Sequence, residues 1–391
     1  MPWSEVSVVD QRQEFVRLAM QEGVNRRELC RRFGVSPDVG YKWLGRSACN
    51  GELADRSRRP HTSPKRTEGP MEDRIVAVRE ENPAWGARKI RRYLVDRGET
   101  RAPAVSTVHE VLRRHGRIVV PPGGPVRAFQ RFEKPEPNLL WQMDFKGWVR
   151  LGNGAQCHPL TVVDDHSRYA ICIAACANQQ RRTVTAALEP AFRRYGLPDA
   201  MFVDNGNPWG DPSGERWTRF GVWLLKLGVA VLHSRPYHPQ SRGKNERFHR
   251  TLKAEVLNIK KLGDFAAAQQ AFDKWRVIYN LERPHQALDL EVPASRYRPS
   301  PRAMPDRVPE VEYDEQETVR KVSTTKHYIS FKGRHWKVPK AFAGERVAIR
   351  PLSANGRFGI FFGSHRVAGL DLTCPEGVSD VSEQVSAMSP D

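Results

Sequence analysis

The sequence predicts a multidomain protein: N-terminal helix-turn-helix modules, an α/β core with a mixed sheet, and a small C-terminal β-barrel. Three observations predict it. Apolar residues recur at helical spacing through about the first 117 residues, broken by short Gly-containing turns. From about residue 137, three strand-like runs give way to alternating helices and strands. Beyond Val319, about five short strands separated by Gly fit into some 55 residues. At roughly 100–200 residues per domain, a chain of 391 residues has room for two to four domains.

The first module spans residues 1–46. Asp10 to Gln21 puts Phe15, Leu18 and Ala19 on one helical face. Asn25 with Glu28 caps a second helix, Gly34-Val35 turns the chain, and Ser36-Pro37 starts a third that ends near Leu44. Helix, short turn and helix in a basic setting (Arg26, Arg27, Arg31, Arg32, Lys42, Arg46) point to DNA, against the plainer reading of a small helical bundle. Residues 47–70 lose periodicity and carry Arg56, Arg58, Arg59, Lys65 and Arg66 among Pro, Ser and Thr. They read as a basic linker, either a solvated tether or a segment tracking phosphates. Residues 71–117 form a second module: Met71–Asn82, a break at Pro83–Gly86, Ala87–Asp96, and a helix to His115 with Thr107 and Glu110 as a capping box. Two such units suggest a long or bipartite DNA site.

Pro121–Pro125 marks the linker at 118–136. The α/β core with its following helix spans 137–300. Its elements read as strands over Leu139–Leu151, His158–Val163 and Tyr169–Cys176, then a helix, a strand at Asp199–Val203, a helix, a short strand at Val229–His233, and helices at Gly243–Leu257 and Phe265–Tyr279. A barrel is expected over 310–372 and a polar flexible tail over 373–391.

Charge narrows the partners. The chain holds 63 Lys+Arg against 45 Asp+Glu, a net charge of +18. Residues 1–136 carry +9, residues 137–262 +8 and residues 263–391 only +1, so a polyanion should touch the first two thirds most. The six cysteines form no CxxC pair, which argues against a disulfide framework or a thiolate zinc site and for an intracellular, reduced protein. Met1-Pro2-Trp3-Ser4-Glu5 does not open like a secretory signal. No stretch approaches the roughly 18 uncharged apolar residues of a spanning helix, so no membrane role is expected.

Three acids stand in unusual settings. Asp144 lies inside a strand, Trp141-Gln142-Met143-Asp144-Phe145, where a carboxylate is costly unless matched to a cation. Asp204 ends another strand, and strand ends of α/β sheets are where ligands bind. Glu246 sits near the start of a helix. Singly they could be a buried structural acid, a turn residue and a solvated helix residue. Together they suit hard divalent ions, and two such ions about 4 Å apart can activate an attacking oxygen and stabilise a leaving oxygen on phosphorus. Phe248, Leu252 and Val256 form the helix's packing face, while Glu246, Arg250 and Lys253 share another, with Lys244, Arg247 and His249 nearby. The preceding loop, Arg235 to Gly243, holds Tyr237 and His238 and reads as a lid over a strand end, or as an ordinary loop.

These residues, with Leu160–Arg168, Val203-Asp204-Asn205-Gly206, Tyr237–Gln240 and Gly243–Arg247 in order, resemble the retroviral-integrase-type catalytic core of DDE transposases of bacterial insertion sequences. Tyr279-Asn280, Arg283-Pro284-His285 and Ala287-Leu288 look like the segment that follows the core in that family. Trp85–Ile90, with Arg88 and Lys89, and Ser106-Thr107-Val108 resemble its second DNA-binding module. The stretch from Asp204 to Glu246 is longer than usual for the family, with the extra length in Asn207–Arg216. Asp164 and Asp165, in a sequence that reads as a turn, stand next in line for Asp204's place.

The resemblance implies an RNase H-like fold and two Mg²⁺ or Mn²⁺ ions. It also implies Asp144, Asp204 and Glu246 as catalytic and metal-binding residues. The implied partners are double-stranded DNA (transposon ends and target) and further copies of the chain on that DNA, in the cytoplasm at the nucleoid. Lys42, Arg46, Arg58, Arg59, Arg88, Lys89, His238, Lys244, Arg247, Arg250 and Lys253 are the expected DNA contacts. The expected activity is binding of terminal inverted repeats, then DNA cleavage and strand transfer. The competing readings are a DNA-binding regulator or inactivated transposase, and a plain RNase H-type nuclease.

Overall fold

The computed structural model describes residues 7–49, 51–56, 66–118, 133–206, 208–210, 217–233, 243–353 and 356–373. The chain divides into two compact units, Met1–Arg66 and Thr67–Asp391.

The first unit holds α1 (Val8–Ala19), α2 (Arg26–Arg32) and α3 (Pro37–Ala48). Local chemistry sets each start. Ser7 and Asp10 form a reciprocal capping box on α1, the Asn25 side chain accepts from the backbone of Arg27 and Glu28, and Ser36 accepts from Val39. Glu28 does not complete a box on α2; it pairs with Arg31 at 2.7 Å. Phe15, Val16, Ala19, Leu29, Cys30 and Trp43 close the core.

The second unit begins with α4 (Gly69–Glu81), α5 (Ala87–Asp96) and α6 (Val105–Arg114), packed around Ile75, Trp85, Ile90, Leu94, Val108, Val111 and Leu112. The expected Thr107–Glu110 box does not form. The helix starts two residues earlier, at Val105, so Thr107 falls inside its first turn and Glu110 turns to Arg113 at 2.6 Å.

A mixed six-stranded sheet follows. Its strands are β1 (Trp141–Phe145), β2 (Val149–Arg150), β3 (Gln156–Asp164), β4 (Ala170–Cys176), β5 (Ala200–Val203) and β6 (Ala230–His233). The order is β2-β3-β1-β5-β6, with β4 also paired to β3. The expected single strand over Leu139–Leu151 is broken in two, and Gly147 at the break takes φ +91°. β1 runs antiparallel to β3 and parallel to β5, and β5 parallel to β6. Helices α7 (Arg181–Tyr195) and α8 (Arg219–Lys226) cover one face, where Trp141, Met143, Val184, Leu188, Phe192, Phe220 and Leu224 interlock. On the other face α9 (Gly243–Leu252), a π-helical turn (Lys253–Leu257) and α10 (Phe265–Leu281) bury Phe248, Leu252, Val256, Phe272 and Trp275.

The chain then crosses back behind α7. Leu197 N donates to Arg302 O at 2.7 Å, and Arg302 ties Pro198, Asp199 and Gly228 together. Gly196 makes room for this crossing: its φ is +75°, and a Cβ there would lie 2.5 Å from Ser300 O and 2.9 Å from Arg302 O. Gly196→Ala therefore combines left-handed backbone strain with a backbone clash, and is expected to cost about 2 kcal/mol or more in urea unfolding. An unchanged midpoint would contradict that.

The C-terminal part is not a barrel. Strands β7 (Thr318–Lys321), β10 (Arg346–Pro351), β11 (Arg357–Phe362) and β12 (His365–Asp371) form an open sheet of order β12-β11-β10-β7, with β7 and β12 as its edges. Among the described residues β8 (Tyr328–Phe331) and β9 (Arg334–Lys337) pair only with each other. Closure is unnecessary because the apolar face is covered another way. Trp336 and Ile329 of the hairpin, Phe342, and Val222 and Leu225 of α8 fill the same core as Val347, Ile349, Ile360 and Phe362.

Candidate active site

In β1 side chains alternate faces. Trp141 and Met143 enter the core with α7 and α8. Gln142 and Asp144 therefore face the α9 side. The β1–β5 register pairs Trp141 with Met201 and Gln142 with Phe202. Carried on by two residues, it puts Asp144 level with Asp204 at the C-terminal ends of adjacent parallel strands, the place where sheets of this kind bind ligands. Asp204 follows β5 directly, and its Oδ1 accepts from Gly206 N at 2.9 Å.

α9 buries Asn245, Phe248 and His249, with Phe248 against Trp275 and Tyr279 of α10 and His249 beside Asp144 of β1, while Glu246 in its first turn is exposed. His249 Nδ1 lies 4.0 Å from Asp144 Oδ2, and its Nε2 lies 2.8 Å from Thr161 Oγ1. Burial pushes this imidazole down to about 4, and Lys146 adds to the effect. His285 is also driven well below its ordinary range, first by burial and then by Arg283. Both rings are neutral when folded yet bind protons once unfolded, so stability is full above about pH 6.5 and falls as the pH drops below it. Thermal melts between about pH 7 and pH 5 should show a falling midpoint; a flat profile would count against these two buried rings.

Lys244 reaches back to the buried Asp165, with Nζ 2.5 Å from Oδ1. Burial pushes its ammonium down to about 8, partly offset by Asp165. Asp164 and Asp165 are both buried and engaged. Asp164 accepts from Asn138 N, Ser167 N and Ser167 Oγ, and burial raises its carboxyl; Asp165 also accepts from Lys134 N and from Gln142 Nε2 at 2.6 Å. These two acids build the turn between β3 and β4 and anchor the start of α9.

The remaining candidates separate. Arg247, Arg250 and Lys253 are exposed on α9 and the turn after it. Arg88 is exposed, while Lys89 is half-buried, its ammonium pushed down to about 8 by burial and by Arg283. In the first unit Lys42 is exposed, but Arg46 donates to Ala54 O at 3.1 Å and stacks 4.7 Å from the Trp43 ring. Arg58, Arg59 and His238, with Tyr237 and most of Asn207–Arg216, lie outside the described residues. Sequence reasoning missed Thr161 and Gln142. Gln142 was visible as the residue two before Asp144, on the same face of its strand.

Among the described residues, no three His, Cys, Asp or Glu side chains gather closely enough to hold a metal. The donor set at the strand ends is nonetheless one kind of chemistry. Hard carboxylate oxygens of Asp144 and Asp204, with Glu246 on the adjoining helix, suit Mg²⁺ or Mn²⁺ better than a softer ion.

Comparison with known proteins bears on this region. The Integrase core domain family matches residues 134–239 and 227–293. The C-terminal domain of IS481 family transposases matches 317–376, a Helix-turn-helix domain 11–61 and a Homeodomain-like domain 39–112. The insertion element IS407 31.7 kDa protein of Burkholderia multivorans is 31% identical over 158 residues, 40% of this chain and 54% of that protein. The insertion element IS476 39.2 kDa protein of Xanthomonas euvesicatoria is 30% identical, over 40% of this chain and 44% of that protein. The Gag-Pro-Pol polyprotein of Mason-Pfizer monkey virus is 29% identical over 125 residues, 32% of this chain and 6% of that protein. The chain thus spans about half the length of the two insertion-element relatives. Residues 134–293 thus match the Integrase core domain family, and the chain is similar in sequence to proteins of bacterial insertion elements and to a retroviral polyprotein. Among the described residues no helix is long and apolar enough to cross a membrane.

Proposed function

We propose that this protein is a transposase that binds the terminal inverted repeats of an insertion sequence and catalyses metal-dependent cleavage and strand transfer. What supports the reading is the β1–β5 register, which, carried on by two residues, sets Asp144 level with Asp204, with Glu246 on the adjoining helix. Asp144, Asp204 and Glu246 would hold Mg²⁺ or Mn²⁺, which when bound activates the attacking oxygen and stabilises the leaving one. The chain's own residues do the rest. Arg247, Arg250 and Lys253 line the exposed side of α9 and its extension, where they can hold phosphates over the strand ends. Residues 1–46 and 71–117 read the repeat, residues 137–300 carry the chemistry, and the open sheet within 310–372 follows. Water attacks first and frees a 3′-hydroxyl. That hydroxyl then attacks a phosphodiester of the target, so no covalent bond to protein is needed. Copies of the chain on DNA bring two ends together.

The test is strand joining by purified protein on the inverted repeats that flank its coding sequence, with Mg²⁺ or Mn²⁺ supplied. Joined products support the reading. Binding without cleavage in Mn²⁺ would favour a DNA-binding regulator, and cleavage without joining a nuclease.

A further inference from the structure

Asp144 and Glu246 sit on different elements, and two side chains link those elements by hydrogen bonds. Thr161 stands opposite Asp144 in the β1–β3 register and is fully buried. Its hydroxyl donates to Asp144 O at 3.0 Å. The same oxygen lies 2.8 Å from Nε2 of His249, three residues beyond Glu246 on α9. A hydroxyl has one proton. With that proton on the carbonyl, the imidazole must be the donor, which assigns the Nε2–H tautomer. Nδ1 then carries a lone pair, and Nδ1 is the atom that faces Asp144 Oδ2 at 4.0 Å.

The consequences are geometric and electrostatic. The relay from His249 N–H through the Thr161 hydroxyl to the Asp144 carbonyl ties the helix of Glu246 to the strand of Asp144. Two residues before Glu246, Lys244 makes a second tie to Asp165 at 2.5 Å, so the helix is held on both sides of the acid. Meanwhile the ring turns an acceptor, not a proton, toward the Asp144 carboxylate. His249 therefore donates no proton to that carboxylate.

We propose that Thr161 and His249 are positioning residues that set Asp144 against Glu246 for divalent-cation binding. The inference rests on the transposase reading above. Partners of this kind, one step removed from a ligand, typically change metal affinity 10–100-fold.

The experiment titrates the full-length protein with Mn²⁺ and follows free Mn²⁺ by electron paramagnetic resonance, beside a thermal melt of each variant. Thr161→Val removes the hydroxyl but keeps the β-branched shape. It is expected to weaken Mn²⁺ binding about 10–100-fold and to lower turnover while affinity for repeat DNA holds. Thr161→Ser, which keeps the hydroxyl, is expected to recover both. A lower melting temperature for Thr161→Val with unchanged Mn²⁺ affinity would overturn the proposal and leave the transposase reading standing. Wild-type protein with no Mn²⁺ binding that depends on Asp144, tested with Asp144→Asn, would overturn the metal reading and the proposal with it.

Discussion

Asp144→Asn will abolish strand joining, by about 10³-fold or more, and leave repeat binding and melting temperature close to wild type. The substitution keeps the shape and removes the charge. Asp144 is a quarter exposed at the open end of the sheet, where an amide is tolerated in place of the carboxylate. Where a carboxylate is kept for chemistry, neutralising it often leaves stability unchanged or raised. Asp165→Asn supplies the contrast. Asp165 is buried and binds Lys244, Gln142 and the backbone of Lys134, so its loss weakens the fold. The pair of variants separates an acid that reacts from an acid that anchors. Wild-type joining by Asp144→Asn would remove Asp144 from the chemistry.

Arg283→Ala will destabilise the second unit by about 3–5 kcal/mol in urea unfolding. Arg283 and Glu255 form an ion pair whose side chains are 8% and 6% exposed, with Nε 2.9 Å from Oε1. Glu255 also accepts from Trp275 Nε1 at 2.8 Å. Removing the guanidinium leaves a buried carboxylate without its counter-charge, which is worse than having neither group. The double variant Glu255→Gln with Arg283→Met should therefore lose less than Arg283→Ala alone. If it loses more, the pair adds net stability of its own and the desolvation argument fails.

That pair also shows where sequence reading stops. Arg283-Pro284-His285 and Tyr279-Asn280 were legible as a family mark, but their work is tertiary. Asn280 bonds both the N–H and the C=O of Ala170, at 2.8 and 3.0 Å, and closes the edge of β4 like a short strand. His285 packs edge-on to Tyr279. No local pattern reports a partner 110 residues away. The α/β core was legible because each strand is an apolar run and α9 shows its packing face as Phe248, Leu252 and Val256. The barrel was overread for a related reason: counting short strands gives their number, while closure depends on what else covers the apolar face. One strand more than expected forms there: β7, Thr318-Val319-Arg320-Lys321, is an edge strand and carries the charge that edges tolerate. The candidate acid Asp144 stood out through cost, since it stands among Trp141, Met143 and Phe145.

α8 is eight residues long and has no side free for solvent alone. Phe220 and Leu224 belong to the core beneath the large sheet, and Val222 and Leu225 to the core of the C-terminal sheet. A helix shared in this way welds two hydrophobic interiors into one melting event. The C-terminal sheet is thus no detachable appendage: cutting it away strips the outer half of a helix that the large sheet needs, and exposes sticky apolar surface in its place.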